Sequence, residues 1–265
     1  MSDTLVERIL LSFVIGGCFV SLVAFIAQRA GSRWGGIIGG LPSVGLVTLV
    51  FLGCVEGPAY AAQAAFMIPF GIACYGAFVT AYVFLFSRGW SFFGSVIAGS
   101  IVWIALASAV FLGVPHTWAG CLIVYGSGVV LGYIALFRLL RVPEVSGRKV
   151  PLRITQMALR AVSAGAGVAI PVLVSSVAGP SLGGVAAMFP AATLATLTIA
   201  YLADGRPLAL ALARPLFVST MLNLFVFSMA IQLSFPSVGV LWGTFASVGA
   251  ALISAGIAYQ LLKSA

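Results

Sequence analysis

The sequence predicts an all-α polytopic membrane protein with nine transmembrane helices, built as two inverted-topology four-helix repeats joined by a central helix. The prediction depends on composition, on the placement of the basic residues and on an internal repeat. Of 265 residues, 62% are hydrophobic and 7% are charged, whereas a soluble domain is about 45–50% apolar and about 25% charged. This composition excludes a soluble enzyme, a disordered chain, a disulfide scaffold and a nucleic-acid-binding module.

Nine apolar segments can be read along the chain, separated by Gly, Pro and charged residues that are typical of loops. One transmembrane helix needs about 20 mainly apolar residues, so nine helices leave no room for a soluble domain. The runs are too long for barrel strands, which alternate over about ten residues. The segments are 9–28, 35–55, 60–86, 91–113, 117–138, 155–178, 183–203, 208–233 and 238–262.

The basic residues orient these nine spans. With nine spans, the odd-numbered connections and the C-terminus share one side of the membrane, and the opposite side carries only Arg8. The positive-inside rule assigns the basic side to the cytoplasm. The sequence therefore predicts an integral inner-membrane protein with its N-terminus outside and its C-terminus inside. The basic residues on the predicted cytoplasmic side are Arg29, Arg33, Arg88, Arg138, Arg141, Arg148, Lys149, Arg153, Arg160, Arg206, Arg214 and Lys263.

Two stretches, 35–57 and 183–205, align without gaps at a shift of 148 residues. Five spans separate matching positions, and since five is odd, the two halves face opposite ways in the membrane. We predict repeat 1 over 1–113, a linker helix with a basic cytoplasmic loop over 114–153, and repeat 2 over 154–265. Glu56 pairs with Asp204, and the identities are Gly35/Gly183, Gly36/Gly184, Pro42/Pro190, Leu46/Leu194, Thr48/Thr196, Leu49/Leu197 and Gly57/Gly205.

Each half has a Gly-rich lead, a Leu-Pro or Phe-Pro step and an acid–Gly end. In this pattern it resembles the small four-span inner-membrane proteins of the GlpM type and related uncharacterised half-size families. The motif is clearest from Phe189–Pro190 through Asp204–Gly205. The first half has Leu41–Pro42 where the second half has Phe189–Pro190. The resemblance covers about one hundred residues per half. It implies a four-helix building block and gives no substrate or catalytic residue.

The repeated prolines point to a binding site. Proline breaks or kinks a helix, and the backbone groups it frees within a membrane must be buried in protein or line a cavity. A matched pair of interrupted helices in two inverted halves predicts a site near the midplane, here between helices 2 and 7. The alternative is that these small and hydroxylated residues only pack helices together. The candidate substrate-binding residues are Pro42, Ser43, Thr48, Tyr75, Pro190, Thr193, Thr196 and Asn223.

Two of these candidates, Tyr75 and Asn223, occupy matched positions in helices 3 and 8. Asn223 is the only asparagine in the chain, and a buried amide either joins helices by hydrogen bonds or contacts substrate. The single histidine, His116, follows Pro115 in an outer loop and is interpreted as an exposed turn residue, the other reading being a pH sensor.

Two acids are candidates for proton or ion coupling. Glu56 is predicted at the outer end of helix 2 and Asp204 at the inner end of helix 7. A pair of acids at opposite ends could bind protons or cations in turn. The alternative is a solvated acid–Gly turn that ends each helix, because an acid costs far less at the interface than at the membrane centre.

The absence of other motifs narrows the function. The four cysteines have no metal-ligand spacing and there is one histidine, so we predict no metal site, no cofactor and no enzymatic activity. The leading hypothesis is a secondary transporter, working by alternating access, for a small neutral, zwitterionic or amphipathic solute. The alternative is a non-transporting scaffold or accessory protein of an envelope or lipid pathway, and a channel is a third. The predicted partners are the lipid bilayer and a small-molecule or lipid-like substrate, without nucleic acid; homo-oligomers remain open.

Overall fold

The computed structural model describes residues 3–29, 42–142 and 154–264. Within these ranges the chain is helical, without strands, so the predicted all-α class is confirmed. The Gly-rich lead of the first repeat copy, including Gly35 and Gly36, and the basic loop over 143–153 lie outside the described residues. The elements are α1 (Asp3–Arg29), α2 (Ser43–Val55), α3 (Pro58–Ser87), α4 (Phe92–Gly113), α5 (Trp118–Tyr133), α6 (Ile154–Ala186), α7 (Ala191–Ala211), α8 (Ala213–Ser219) and α9 (Phe225–Ser264).

Six stretches of the described chain are long and apolar enough to cross a membrane. Large apolar side chains face outwards on them, including Ile101, Leu112 and Ile123, as expected where lipid replaces water. The protein is therefore membrane-embedded. The six are Thr4–Ile26, Pro58–Ser87, Phe92–Gly113, Trp118–Leu139, Ile154–Ala186 and Ala213–Ala258, and α2 is a shorter apolar helix.

Three helices contain internal breaks. The backbone leaves helical geometry at Gly179 in α6, at Asp204–Gly205 in α7 and at Gly239 in α9. Gly205 has a φ of 69°, a left-handed conformation that only glycine adopts without strain. Gly57, which lies 148 residues earlier, also has a positive φ, of 101°. The acid–Gly pairs found in the sequence therefore end a helical segment in both halves.

Two π-helical turns interrupt the regular helices. One, Ile134–Leu139, follows α5, and the other, Thr220–Leu224, joins α8 to α9. Such turns occur frequently at functional sites, because the extra residue re-aims the neighbouring side chains. The second turn contains Asn223, which the sequence had singled out.

Helix α3 lies at the centre of the bundle. It contacts α2, α4, α5, α6 and α9, and most of its side chains are buried, including Phe70, Phe78 and Tyr82. Helices α4 and α5, by contrast, bury few of their residues. The core of the protein therefore surrounds α3, where small residues allow close helix contact.

Helices α1 and α6 cross in antiparallel fashion at two glycines. A Cβ added to Gly17 would lie 2.8 Å from the carbonyl oxygen of Ala161, and one added to Gly165 would lie 2.7 Å from that of Phe13. Position 17 thus meets 161 while 13 meets 165, which sets the antiparallel direction. Glycine at both positions lets the two backbones touch.

Candidate functional site

The chain is interrupted between α6 and α7. After the break at Gly179, a short helical segment runs over 180–186, and α7 begins at Ala191, immediately after Pro190. Pro190 has no N–H to donate to Ala186, and the Ala186 carbonyl accepts from the N–H of Phe189 instead, at 3.0 Å. Helix α2 begins in the same way, at Ser43 directly after Pro42.

This interruption packs tightly against α3. A Cβ added to Gly71 would lie 2.6 Å from Cβ of Met188, and one added to Gly184 would overlap the carbonyl oxygen of Ala64. Trp103 of α4 donates from Nε1 to the Gly71 carbonyl at 3.3 Å, and its ring lies edge-on to Phe189 with centroids 5.5 Å apart. The break is thus enclosed by α3 and by Trp103 of α4.

A buried polar contact lies beside the interruption. The hydroxyls of Tyr75 and Thr193 are 3.1 Å apart, within hydrogen-bond distance. Tyr75 and Thr193 are 2% and 8% exposed. Because water reaches neither side chain, the two hydroxyls bond to each other. The structure therefore joins two of the predicted substrate residues, from α3 and α7, through neutral hydrogen-bonding groups.

Asn223 makes a different contact. It is buried in the π-helical turn, and its Oδ1 accepts a hydrogen bond from Ser254 of α9 at 3.1 Å. This joins the two parts of the chain on either side of Gly239. The contact fits the interpretation of Asn223 as a helix-joining amide, and its role toward a substrate stays a prediction.

The remaining predicted residues lie along α2 and α7 without a shared contact. Pro42 and Ser43 are partly buried, Pro190 is buried, and Thr48 is fully buried. Thr48 donates to the carbonyl of Val44 at 2.9 Å, and the partly exposed Thr196 donates to that of Ala192, also at 2.9 Å. Such bonds satisfy a hydroxyl within its own helix.

The two coupling candidates lie at opposite ends of the bundle. Glu56 caps the end of α2 and forms an ion pair with Arg8 of α1 at 2.6 Å, with both side chains partly exposed. Asp204 lies exposed at the break in α7, next to Arg206. We call these the Glu56 end and the Arg206 end.

At the Arg206 end lies an aromatic cluster of four side chains: Tyr82, Phe86, Phe92 and Tyr201. Phe92 and Tyr201 stack at 4.5 Å and are nearly parallel, and Phe86 meets Tyr201 edge-on at 5.9 Å. The Arg206 guanidinium lies 4.6 Å from the Phe86 ring centroid and donates to the Trp90 carbonyl at 3.2 Å. These contacts join α3, α4 and α7.

The counterpart of this stacked pair at the Glu56 end is a smaller contact. There Gly53 of α2 faces α9, and an added Cβ would lie 2.9 Å from Val240 and 3.1 Å from Phe235. Gly53 and Val240 are the positions 148 residues away from Tyr201 and Phe92, respectively. The same pair of positions is thus filled by two stacked rings at one end and by a glycine contact at the other.

A groove of about 900 Å³ lies elsewhere, between α3, α4 and α5. The cavity was predicted between helices 2 and 7, whereas this groove involves neither α2 nor α7. Among the described residues, no group of three or more His, Cys, Asp or Glu side chains is placed to hold a metal ion. His116 is exposed, as interpreted from the sequence, and its Nε2 lies 3.0 Å from the Phe111 carbonyl oxygen.

Sequence reasoning missed several residues of the candidate site. Trp103, Gly71 and Met188 carry no sequence signal that can be separated from ordinary helix packing. Comparison with known protein families, curated proteins and solved structures finds no match to this chain.

Proposed function

We propose that this protein is a secondary transporter that works by alternating access on a small neutral, zwitterionic or amphipathic solute. The observation that carries the proposal is the interrupted segment between α6 and α7, which lies beside the Tyr75–Thr193 contact. Interrupted helices at the interface of inverted halves are where such transporters bind substrate. The described side chains there are neutral hydrogen-bonding groups, which suits a substrate without net charge.

The proposal includes nine membrane crossings. The stretch Ala213–Ala258 has 46 residues, which as one helix would extend about 69 Å, more than twice the roughly 30 Å of the hydrocarbon core. The break at Gly239 divides it into two crossings of suitable length. The breaks at Gly179 and Asp204–Gly205 likewise separate crossings six, seven and eight.

The inverted repeat is supported by reciprocal contacts. A two-fold relation requires that if one position meets a second, their counterparts meet as well. Gly17 meets Ala161. At the shift of 148 the counterpart of Gly17 is Gly165 and that of Ala161 is Phe13, and these two residues also meet. The two helices are antiparallel, as inversion of the halves requires.

Local features of α2 and α7 support the same relation. Both helices begin directly after a proline, Pro42 or Pro190, and no side-chain hydrogen bond caps either start. Thr48 and Thr196 each bond to the carbonyl four residues earlier. Two unrelated helices would not be expected to share this order of features at a constant spacing. We therefore propose a site on the pseudo-two-fold axis between α2 and α7.

Cysteine accessibility tests the transport proposal. In a variant whose four native cysteines are alanine, Thr193→Cys is reconstituted in vesicles and treated with a membrane-impermeant maleimide on either side. Alternating access is expected to expose Thr193→Cys to each side. Ala195→Cys, buried on the same helix, is the matched control and should react from neither side.

The same experiment includes its own orientation markers. His116→Cys should react only from outside and Gly147→Cys only from the cytoplasmic side if the charge sorting is correct. A Thr193→Cys variant that reacts no faster than Ala195→Cys from either side would contradict alternating access. That result would favour the scaffold.

The scaffold alternative is favoured by one observation. In the described residues α6 lies between α2 and α7: a Cβ added to Gly167 of α6 would lie 3.2 Å from both Val44 and Ala191. Thr48 and Thr193 are both buried. A protein that holds a partner through small-residue helix faces needs no internal cavity. We place this second, because packing alone gives no reason for two matched proline-led helices.

We propose that Glu56 and Asp204 couple the two states to protons or cations. If so, the ratio of Thr193→Cys labelling from the two sides will depend on pH, and Glu56→Gln together with Asp204→Asn will abolish that dependence. Glu7→Gln, which removes an exposed acid of α1 outside the Arg8–Glu56 pair, is the control. A ratio that keeps its pH dependence in the double variant would exclude the coupling role.

A further inference from the structure

The groove between α3, α4 and α5 has a floor of small residues. Both α4 and α5 pack on α3 but leave a gap over Ala73, Gly76, Ala77 and Ala81 of α3. Leu106 and Val110 of α4 and Val124 and Leu131 of α5 form the walls. The groove is open to one side and its lining is mainly apolar, so in a membrane-embedded protein it faces the acyl chains of the bilayer.

The other half of the chain does not repeat this floor. The positions 148 residues later carry Met221, Leu224, Phe225 and Met229, whose side chains would fill such a gap. Helix α5, which forms one wall, has no counterpart in the second half. The groove is thus particular to one half and does not follow from the repeat.

The groove is longer than the hydrocarbon region of one leaflet. Its lining residues on α3 run from Ala73 to Arg88, about 22 Å at the rise of an α-helix, compared with roughly 15 Å for half of the hydrocarbon core. The volume of about 900 Å³ falls within the approximately 300–1,000 Å³ range of small-molecule sites. The groove therefore runs from beyond the midplane to the Arg206 end of the bundle.

A positive charge lies at one end of the groove. Arg88 lines it there, next to Leu139 and Leu140, with its guanidinium 4.8 Å from the Phe84 ring centroid. Among the described residues, no carboxylate lies within ion-pair distance of Arg88. In the sequence, Arg138 and Arg141 directly flank Leu139 and Leu140. An apolar groove that ends at an arginine is complementary to an amphiphile with an anionic headgroup.

We propose that this groove binds an anionic phospholipid of the leaflet at the Arg206 end. An acyl chain lies over the small residues of α3, and the phosphodiester accepts hydrogen bonds from Arg88, whose planar guanidinium matches phosphate oxygens. Basic sites between transmembrane helices bind anionic headgroups in this manner. The inference is independent of the transport proposal, since it involves neither α2 nor α7.

Native mass spectrometry tests the site on the full-length protein. The detergent-solubilised protein is mixed with phosphatidylglycerol or with phosphatidylcholine of the same acyl chains, and the retained lipid is counted. The wild type is expected to retain phosphatidylglycerol preferentially, and Arg88→Gln to reduce that preference about fivefold. Ser127→Phe, an exposed position on the groove wall, should lower retention of both lipids. Ala105→Phe, exposed on α4 outside the groove lining, is the matched control.

Each outcome decides the proposal. Loss of preference in Arg88→Gln together with lower retention in Ser127→Phe supports it. If Arg88→Gln alone has an effect, the lipid lies outside the groove. If Ser127→Phe alone has an effect, the groove does not select anionic headgroups, and if neither variant differs from Ala105→Phe, there is no such site. Any of these last three results overturns the proposal.

Discussion

Replacement of Gly184 by alanine is expected to lower the free energy of unfolding by about 1–3 kcal/mol or more. A Cβ at this position overlaps the carbonyl oxygen of Ala64, which belongs to the backbone of α3 and has no rotamer by which to move away. The whole segment over 180–186 would have to shift from α3. Because α3 is the central helix, the displacement would reach the Tyr75–Thr193 contact as well.

The thermal unfolding midpoint in detergent measures this effect. The control is Gly249→Ala in α9, where an added Cβ meets nothing within 4 Å; there the helix preference of alanine leaves the midpoint unchanged or slightly raised. Equal midpoints for Gly184→Ala and Gly249→Ala would show that the segment over 180–186 does not lie against α3.

Replacement of Tyr201 by alanine is expected to open the Arg206 end. Tyr201 stacks on Phe92 and meets Phe86 edge-on, and aromatic pairs contribute about 0.5–1.5 kcal/mol each beyond the area they bury. Loss of both pairs would shift the population toward the state open at this end, about tenfold or more. The measurement is the labelling rate of Thr193→Cys from the cytoplasmic side.

Tyr201→Phe is the matched control, because it keeps the ring and removes only the hydroxyl. It should leave the labelling rate of Thr193→Cys near that of the wild-type background. A Tyr201→Ala variant that gains reactivity equally from both sides would indicate general loosening of the bundle. Unchanged reactivity would show that the aromatic cluster is not the closure at this end.

The contact at the Arg206 end differs from its counterpart at the Glu56 end. Phe92 and Tyr201 stack at the Arg206 end, whereas their counterparts Gly53 and Val240 form a smaller contact, and the partly exposed Arg8–Glu56 pair adds little stability. Under the proposed alternating access, the aromatic contact would have to separate for access from the Arg206 end. For this reason the Tyr201→Ala variant is expected to raise labelling from that side only.

Part of the candidate site followed from the sequence. The alignment at a shift of 148 marked Pro190 and Asp204, and Thr193 was one of the candidate substrate-binding residues. In the structure these three lie at the start of α7, at the helix break and in the buried contact with Tyr75, respectively. Proline and acid–Gly pairs are visible in a sequence because their backbone effect is local. Thr48 and Thr196 show the limit, since their hydroxyls are bonded within their own helices.

The groove illustrates what sequence could not distinguish. Ala73, Gly76, Ala77 and Ala81 follow helical spacing, and such a face is equally suited to a tightly packed neighbour and to a gap. Only the positions of α4 and α5 on α3 leave it open. The role of Arg88 at the end of that groove depends on the same arrangement.

By itself, the sequence determined that the protein is helical and membrane-embedded, and where prolines and glycines interrupt its helices, because these depend on transfer of side chains into lipid and on local backbone geometry. The tertiary structure decided which interruptions come together. The Tyr75–Thr193 contact, the Trp103–Gly71 hydrogen bond and the reciprocal glycine contacts of α1 and α6 join residues far apart in the chain. No local pattern specifies such pairs, since helix packing within a membrane depends on the fit of whole surfaces.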